Sequence, residues 1–271
     1  MHLILIITKI QKEMKPVKFL AVVAAVALSF GLVAFINHSN STKIKPNNNF
    51  KADGFAVLEL FTSEGCSSCP AADELLARIQ QEAGDKPVYL LSYHVDYWDR
   101  LGWRDAFSQA EFSKRQYQYS RHLNAEVYTP QLVVNGKEEF VGSDQSAITS
   151  AISQELSGKA TASLALKAHQ QAGKLDVNYQ ADGDIAGSEL LLALVQKHAV
   201  SKVGAGENGG RTLKHAQIVR NLYKFDLPAD KKGTMRIALP PSFNTKDWEL
   251  VGFVQDEGTG VIKSAARAVM E

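Results

Sequence analysis

The run FAVLELFT, Phe55 to Thr62, is apolar except for Glu59 and the closing Thr62, and predicts a buried strand. The pattern then changes period, and PAADELLARIQQEA (Pro70–Ala83) predicts an amphipathic helix. PVYLLSYHVDYW (87–98) carries a second strand, and GWRDAFSQAEFSKRQYQYSRHL (102–123) predicts one or two helices. In YTPQLVVNGKEEFVG (128–142) an Asn-Gly pair joins two short apolar runs, a strong hairpin signal. SDQSAITSAISQEL (143–156) follows as a helix, with Ser143 or Asp144 available to cap it. Strand, helix, strand, helix, hairpin, helix is the order of a small α/β sandwich.

Beyond Ser157 the pattern shortens. TASLALKAH, KLDVNYQ, ELLLALVQKHAV, TMRIALP and WELVGFVQDEGTGVIKSAARAV are β-like runs separated by Gly, Asp and Pro. ELLLALVQKH alone fits a helix as well, because a short apolar run does not fix its own period. The expectation is a first domain over residues 54–157 and a second, mainly antiparallel, sandwich-like domain over 158–271.

The first forty residues differ in kind. FLAVVAAVALSFGLVAFI (Phe19–Ile36) has no charge, and Lys12, Lys15 and Lys18 precede it. A positive flank before an apolar core reads as an export signal. No small-x-small site follows closely, and eighteen residues approach the length that spans a bilayer. A cleaved signal and an uncleaved inner-membrane anchor both fit residues 1–40, with polar 41–53 as a linker and the body outside the cytoplasm. MKPVKF, starting at Met14, is itself an adequate signal start. Thirty basic and twenty-nine acidic residues give a net charge of +1 with no basic stripe, so a nucleic-acid partner is not expected.

The chain has only two cysteines, Cys66 and Cys69. An exported chain can hold them as a disulfide. A bond across two intervening residues closes so small a loop that it restricts the unfolded chain little, unlike a staple between distant segments. If a helix begins just after Cys66, the pair occupies its first turn, with Cys66 partly exposed. Free N–H groups and the helix dipole then favour the Cys66 thiolate. Cys69, three residues on, is placed to resolve a mixed disulfide. Pro70 is tolerated there because first-turn amides lack intrahelical acceptors. A zinc site needs four ligands, and no second cysteine pair exists, though His94 and His122 could be recruited. In VYTPQLVVNG, Pro130 stands awkwardly at a strand onset, where it cannot donate to a ladder. A cis Thr129–Pro130 bond would turn the Thr129 backbone toward Cys66, ready to pair with a peptide; an ordinary trans proline at a strand edge is the alternative.

CSSC between a strand and a helix, followed by TP before LVVNG, resembles the thioredoxin superfamily over Ala52–Leu156. The chain is more similar still to exported bacterial thioredoxin-like proteins of unknown function, through ELFTSEGCSSCPAAD, HVDYWDRLGWRDAF, RQYQY, VYTPQLVVNG and GENGGRTLKHAQIVR. The resemblance implies a thioredoxin-like sandwich with inserted helices. It makes Cys66 the attacking thiol, Cys69 the resolving thiol and Pro130 the cis-proline. Three departures stand out: Gly65 where thioredoxin has Trp, Ser67-Ser68 where it has Gly-Pro, and Leu60 at its buried Asp. Glu59, one position back, is the candidate proton acceptor if the loop is a residue longer.

In SYHVDYWDRLGW, His94, Asp96 and Trp98 alternate along an extended chain, past a strand whose end lies near the cysteine turn. His94 is therefore a candidate to stabilise the thiolate or shuttle protons, with Asp96 orienting it. Trp98 and Trp103 are candidates to floor a peptide groove beside Thr129. GAGENGGRTLKHAQIVR lacks the spacing of a phosphate loop and reads as a structural turn, with Arg211 or His215 free to contact the first domain or a partner. The expected chemistry is thiol–disulfide exchange with a protein substrate and a redox partner, without a dissociable cofactor or bound metal. A non-catalytic peptide-binding scaffold and delivery of copper through the thiolates remain open alternatives.

Overall fold

The computed structural model describes residues 54–271. The apolar segment 19–36 and the linker 41–53 lie outside the described residues. Strand β1 (Ala56–Thr62) is buried along its whole length, parallel to β2 (Val88–His94) and antiparallel to β3 (Gln131–Val134). Between them run α1 (Cys69–Ala83) and α2 (Ala110–Leu123); β3 turns through Asn135 and Gly136 into β4 (Glu138–Val141), and α3 (Gln145–Ser157) follows. Asp144 caps α3, its side chain accepting from the Ala147 amide at 3.0 Å.

Eight further strands complete the described residues: β5 (Ala162–Gln171), β6 (Lys174–Gly183), β7 (Ser188–Lys202), β8 (Thr212–Asp226), β9 (Lys232–Ala238), β10 (Trp248–Asp256), β11 (Ile262–Arg267) and β12 (Val269–Met270). The ambiguous ELLLALVQKH is strand β7. Leu190, Leu192 and Leu194 point to one side and Leu191, Ala193 and Val195 to the other, and all six are buried, so the apolar run is continuous.

The fold is α/β with two sheets. One has eight strands in the order β11-β10-β7-β8-β2-β1-β3-β4; the other has four, β12-β5-β6-β9. The large sheet therefore draws strands from both sides of Ser157. Its halves meet where β2 runs parallel to β8, with Ser92 opposite Ile218 and the Ser92 hydroxyl donating to the Ala216 carbonyl at 2.7 Å. One face carries α1 and α3 over Leu58, Leu60, Leu90 and Leu132, and the small sheet over Leu190, Leu192 and Leu250. Phe112 and Tyr119 of α2 pack on the other face with Phe61, Tyr93 and Phe253.

Two local expectations are corrected. The chain does not stay extended past His94: Asp96–Leu101 form a 3-10 helix ended by Gly102 at φ 97°. Asp96, Trp98 and His94 consequently do not share a side. Residues 102–109 form irregular structure rather than the start of a helix, tied down by Asp99, which accepts from the Asp105 amide and the Ser108 hydroxyl.

Candidate functional site around the cysteine pair

Cys66 and Cys69 form a disulfide, with their Cα atoms 5.4 Å apart. Helix α1 begins at Cys69, not just after Cys66. Ser68 is its N-cap position, and Pro70 falls in the first turn, where a missing N–H leaves no intrahelical bond unmade. Cys66 sits on the turn before the helix, its amide donating to the Ser63 carbonyl while its carbonyl accepts from the Cys69 amide. The expected partial exposure of Cys66 is also corrected: it is 1% exposed and Cys69 is 0% exposed, whereas Ser67 and Ser68 face solvent.

The cover comes from the loop between β7 and β8. Buried Asn208 donates through Nδ2 to the Glu64 carbonyl at 2.9 Å and the Cys66 carbonyl at 2.8 Å. The Glu207 carboxylate accepts from the Ser67 amide at 2.9 Å, and bonding to Ser67 holds that carboxyl below the usual range. An amide expected to favour a cysteine thiolate is thus already engaged by an anion. Trp103 packs against the same loop: a Cβ on Gly204 would lie 2.7 Å from its ring, so glycine is what permits the approach.

On the other side of the turn stands Trp98. Its Nε1 donates to Thr129 Oγ1 at 2.8 Å, and a Cβ on Gly65 would approach the Trp98 Cβ to 3.2 Å. Trp98 thereby links the cysteine turn to Thr129–Pro130, whose peptide bond is cis. Pro130 is buried near the start of α1; a side chain at Gly142 would meet Leu60, Pro130 and Ala72 together.

Beneath the turn lies a polar cluster. His94 is fully buried, and its Nδ1 lies 2.6 Å from Asp105 Oδ2, the same oxygen that accepts from the Glu64 amide. Asp105, not Asp96, is therefore the partner of His94; Asp96 bonds Ser113 and anchors α2. His215 of β8 packs edge-on to His94, with ring centroids 5.0 Å apart. Its Nε2 lies 2.9 Å from Ser201 Oγ and 3.4 Å from Glu64 Oε1, and its Nδ1 lies 3.4 Å from Asp73 Oδ2. Glu64 also accepts from Trp103 Nε1 at 2.7 Å, and Asp73 from the Thr62 hydroxyl at 3.1 Å. Burial works against a charged His215, yet Asp73 and Glu64 push its pKa from 6.5 up to about 9. Burial likewise works to raise Glu64 and Asp105, but hydrogen bonds from His215, Ser201 and Trp103 to Glu64, and His94 with the Glu64 and Phe107 amides at Asp105, together outweigh it and leave both carboxyls below their ordinary values.

Glu59 does not join this cluster. It lies on the opposite face of β1, where Arg115 grips both carboxylate oxygens at 2.7 and 2.9 Å and Tyr119 bonds it as well. A buried carboxylate needs such a partner, and the partner leaves it unavailable to the cysteines.

A family model described as "Protein of unknown function (DUF1223)" matches residues 57–255. The chain belongs to that family. The DUF1223 match starts in β1 and ends in β10, so it spans the cysteine turn, its covering loop and both halves of the large sheet. A crystal structure of an Agrobacterium tumefaciens protein is similar over 78% of this chain and 92% of that one, at 26% identity and a TM-score of 0.61. HBP35 of Porphyromonas gingivalis is similar over 79% of this chain and 74% of that one, at 18% identity and a TM-score of 0.55, a likeness of fold alone. No curated protein matches the sequence.

Among the residues around the cysteines, Glu64, Asp73, Asp105, Glu207 and Asn208 were not singled out from the sequence. Glu64 adjoins the CSSC stretch, and its charge beside a buried turn was a usable signal. Glu207 and Asn208 reach the turn across 140 residues or more, and no local pattern announces such a contact.

Proposed function

We propose that this DUF1223 protein carries out thiol–disulfide exchange with protein substrates outside the cytoplasm, through Cys66 and Cys69. The observation that carries this reading is the cysteine pair at the mouth of α1, backed by a buried cluster of imidazoles and carboxylates. Such a cluster is expensive to bury, and perturbed titratable groups beside a cysteine pair are what proton transfer to a sulfur requires. The strand–CSSC–helix order, with Thr129–Pro130 beside it before LVVNG, favours a thioredoxin-like reading of the N-terminal half. On that reading a client thiolate attacks Cys66 Sγ, Cys69 leaves as the second sulfur, and a second client thiolate resolves the mixed disulfide; the reverse sequence reduces a client. A redox partner resets the pair, and relative potentials decide the direction. Thr129 and Trp98 border the place where a client chain would lie. Residues 19–36 supply export or an inner-membrane anchor.

The test is thiol trapping of the protein across glutathione buffers, with Cys66→Ser and Cys69→Ser alongside. Expected is a reversible two-electron transition and a mixed disulfide that accumulates when Cys69 is replaced. A pair that neither equilibrates with glutathione nor forms a mixed disulfide with a model client would overturn the reading. The deep burial of Cys66 would then favour a client-binding scaffold.

A further inference from the structure

The cluster beneath the cysteine turn is assembled from both halves of the sheet. Glu64 comes from the turn, Asp73 from α1, His94 from the end of β2, Asp105 from the segment before α2, and His215 from β8; each is at most 5% exposed. Ser201 of β7 adds a hydroxyl, and Arg220, farther along β8, lies over Phe107 at 5.1 Å. These are the charged and titratable groups that face His215 or its neighbours.

Two features give the cluster a direction. Cys69 and Asp73 are four residues apart on α1, hence stacked one turn apart on the same side. And His215 approaches Asp73 through an Nδ1 that has no hydrogen-bond partner among the described residues, at 3.4 Å, longer than the ~2.8 Å of a tight charge-assisted bond. A proton on Nδ1 is held there by the charge of the carboxylate rather than by a tight hydrogen bond.

Building on the exchange reading, we propose that His215 is a positioning residue of the Cys66–Cys69 couple, holding the proton that reaches Cys69 through the Asp73 carboxylate when the disulfide opens. A client thiolate attacks Cys66 Sγ, and a client–Cys66 bond forms as the Cys66–Cys69 bond breaks. The electron pair of the broken bond stays on Cys69 Sγ. The Asp73 carboxylate takes the proton from His215 Nδ1 and passes it to that buried sulfur, so Asp73 ends as the carboxylate it began as and a neutral imidazole remains. In the reverse step the Cys69 thiol returns its proton along the same path before attacking the mixed disulfide. The client thiol supplies the only reductant. The C-terminal half of the sheet is thereby part of the redox site rather than an appendage to it. Because Asp73 and Glu64 push His215 up to about 9, the imidazolium is the resident form at neutral pH.

The deciding experiment follows the His215 imidazole by NMR titration in the full chain, oxidised and then reduced with dithiothreitol. Distinct titration midpoints in the two redox states are expected; coincident curves would overturn the proposal. This holds on the wild-type protein even if substitutions at His215 prevent folding. In parallel, the rate of reduction per dithiothreitol thiolate should fall as pH passes about 9. His215→Gln should slow reduction at pH 7 by roughly tenfold or more and remove that fall. Dithiothreitol reports on the pair whether or not protein clients use it. Redox-linked titration without client exchange would therefore sink the exchange reading and leave the His215 coupling standing. Client exchange with coincident titration curves would do the opposite.

Discussion

His215 holds a proton that a free imidazole would release near neutrality, and the folded state depends on it. Its pKa is raised, so the stabilisation is complete below about 6.5 and is lost as pH rises through about 9. A shift of this size corresponds to about 3 kcal/mol. Urea midpoints should fall between pH 6 and pH 10 in the wild type, and much less in His215→Gln. Glu64 and Asp105 act in the opposite direction. Their carboxyls are held low, so their contribution is present above the ordinary carboxylate range and is lost on acidification. On the other face of β1, Arg115→Met would strand the buried Glu59 carboxylate, an expected loss of about 3–5 kcal/mol in urea unfolding. Replacing Glu59 by Leu in the same protein should restore part of it, since two apolar residues leave no orphaned charge.

At the scale of elements, the loop from Val203 to Arg211 controls access to the cysteines. Asn208→Ala removes two hydrogen bonds from buried carbonyls, an expected cost of about 1–3 kcal/mol, and should speed dithiothreitol reduction of the disulfide several-fold. Glu207→Gln keeps the loop's shape but removes the anion from the Ser67 amide. Alkylation of reduced Cys66 should then shift toward lower pH, because the helix mouth no longer carries a competing negative charge. The β3–β4 hairpin offers a check on packing. Gly136 has φ +66°, and a Cβ there would come within 1.9 Å of the Gly260 carbonyl oxygen, so Gly136→Ala should lower the thermal midpoint markedly. These elements were not equally legible in the sequence. Strand β1, helix α1, the Asn-Gly hairpin and the Asp144 cap carry their signal in their own residues, and local pattern revealed all four. The 3-10 turn after His94 rests on Asp99 bonding forward to Asp105 and Ser108, which alternation along SYHVDYW does not encode. Pairing His94 with Asp105 instead of Asp96 follows from that turn. The Glu207 and Asn208 contacts have no local signature at all.

Across the whole of the described residues, the large sheet draws strands from both sides of Ser157, and residues 54–271 belong to one compact unit. A chain cut after residue 158 would lose β8 from the edge of β2 and strip Leu191, Ala193, Val195 and Phe253 from the core shared with Phe61 and Tyr93. It should give a collapsed amide NMR spectrum instead of a dispersed one. Composition changes near Ser157 were readable in the sequence; the parallel β2–β8 seam was not, because its partners lie 126 residues apart and both read as ordinary strands. The same long reach fixes an order of events. A ribosome delivers Cys66 and Cys69 some 140 residues ahead of Glu207 and Asn208. The two cysteines are therefore synthesised well before the loop that covers them, and their burial waits on the second half of the chain.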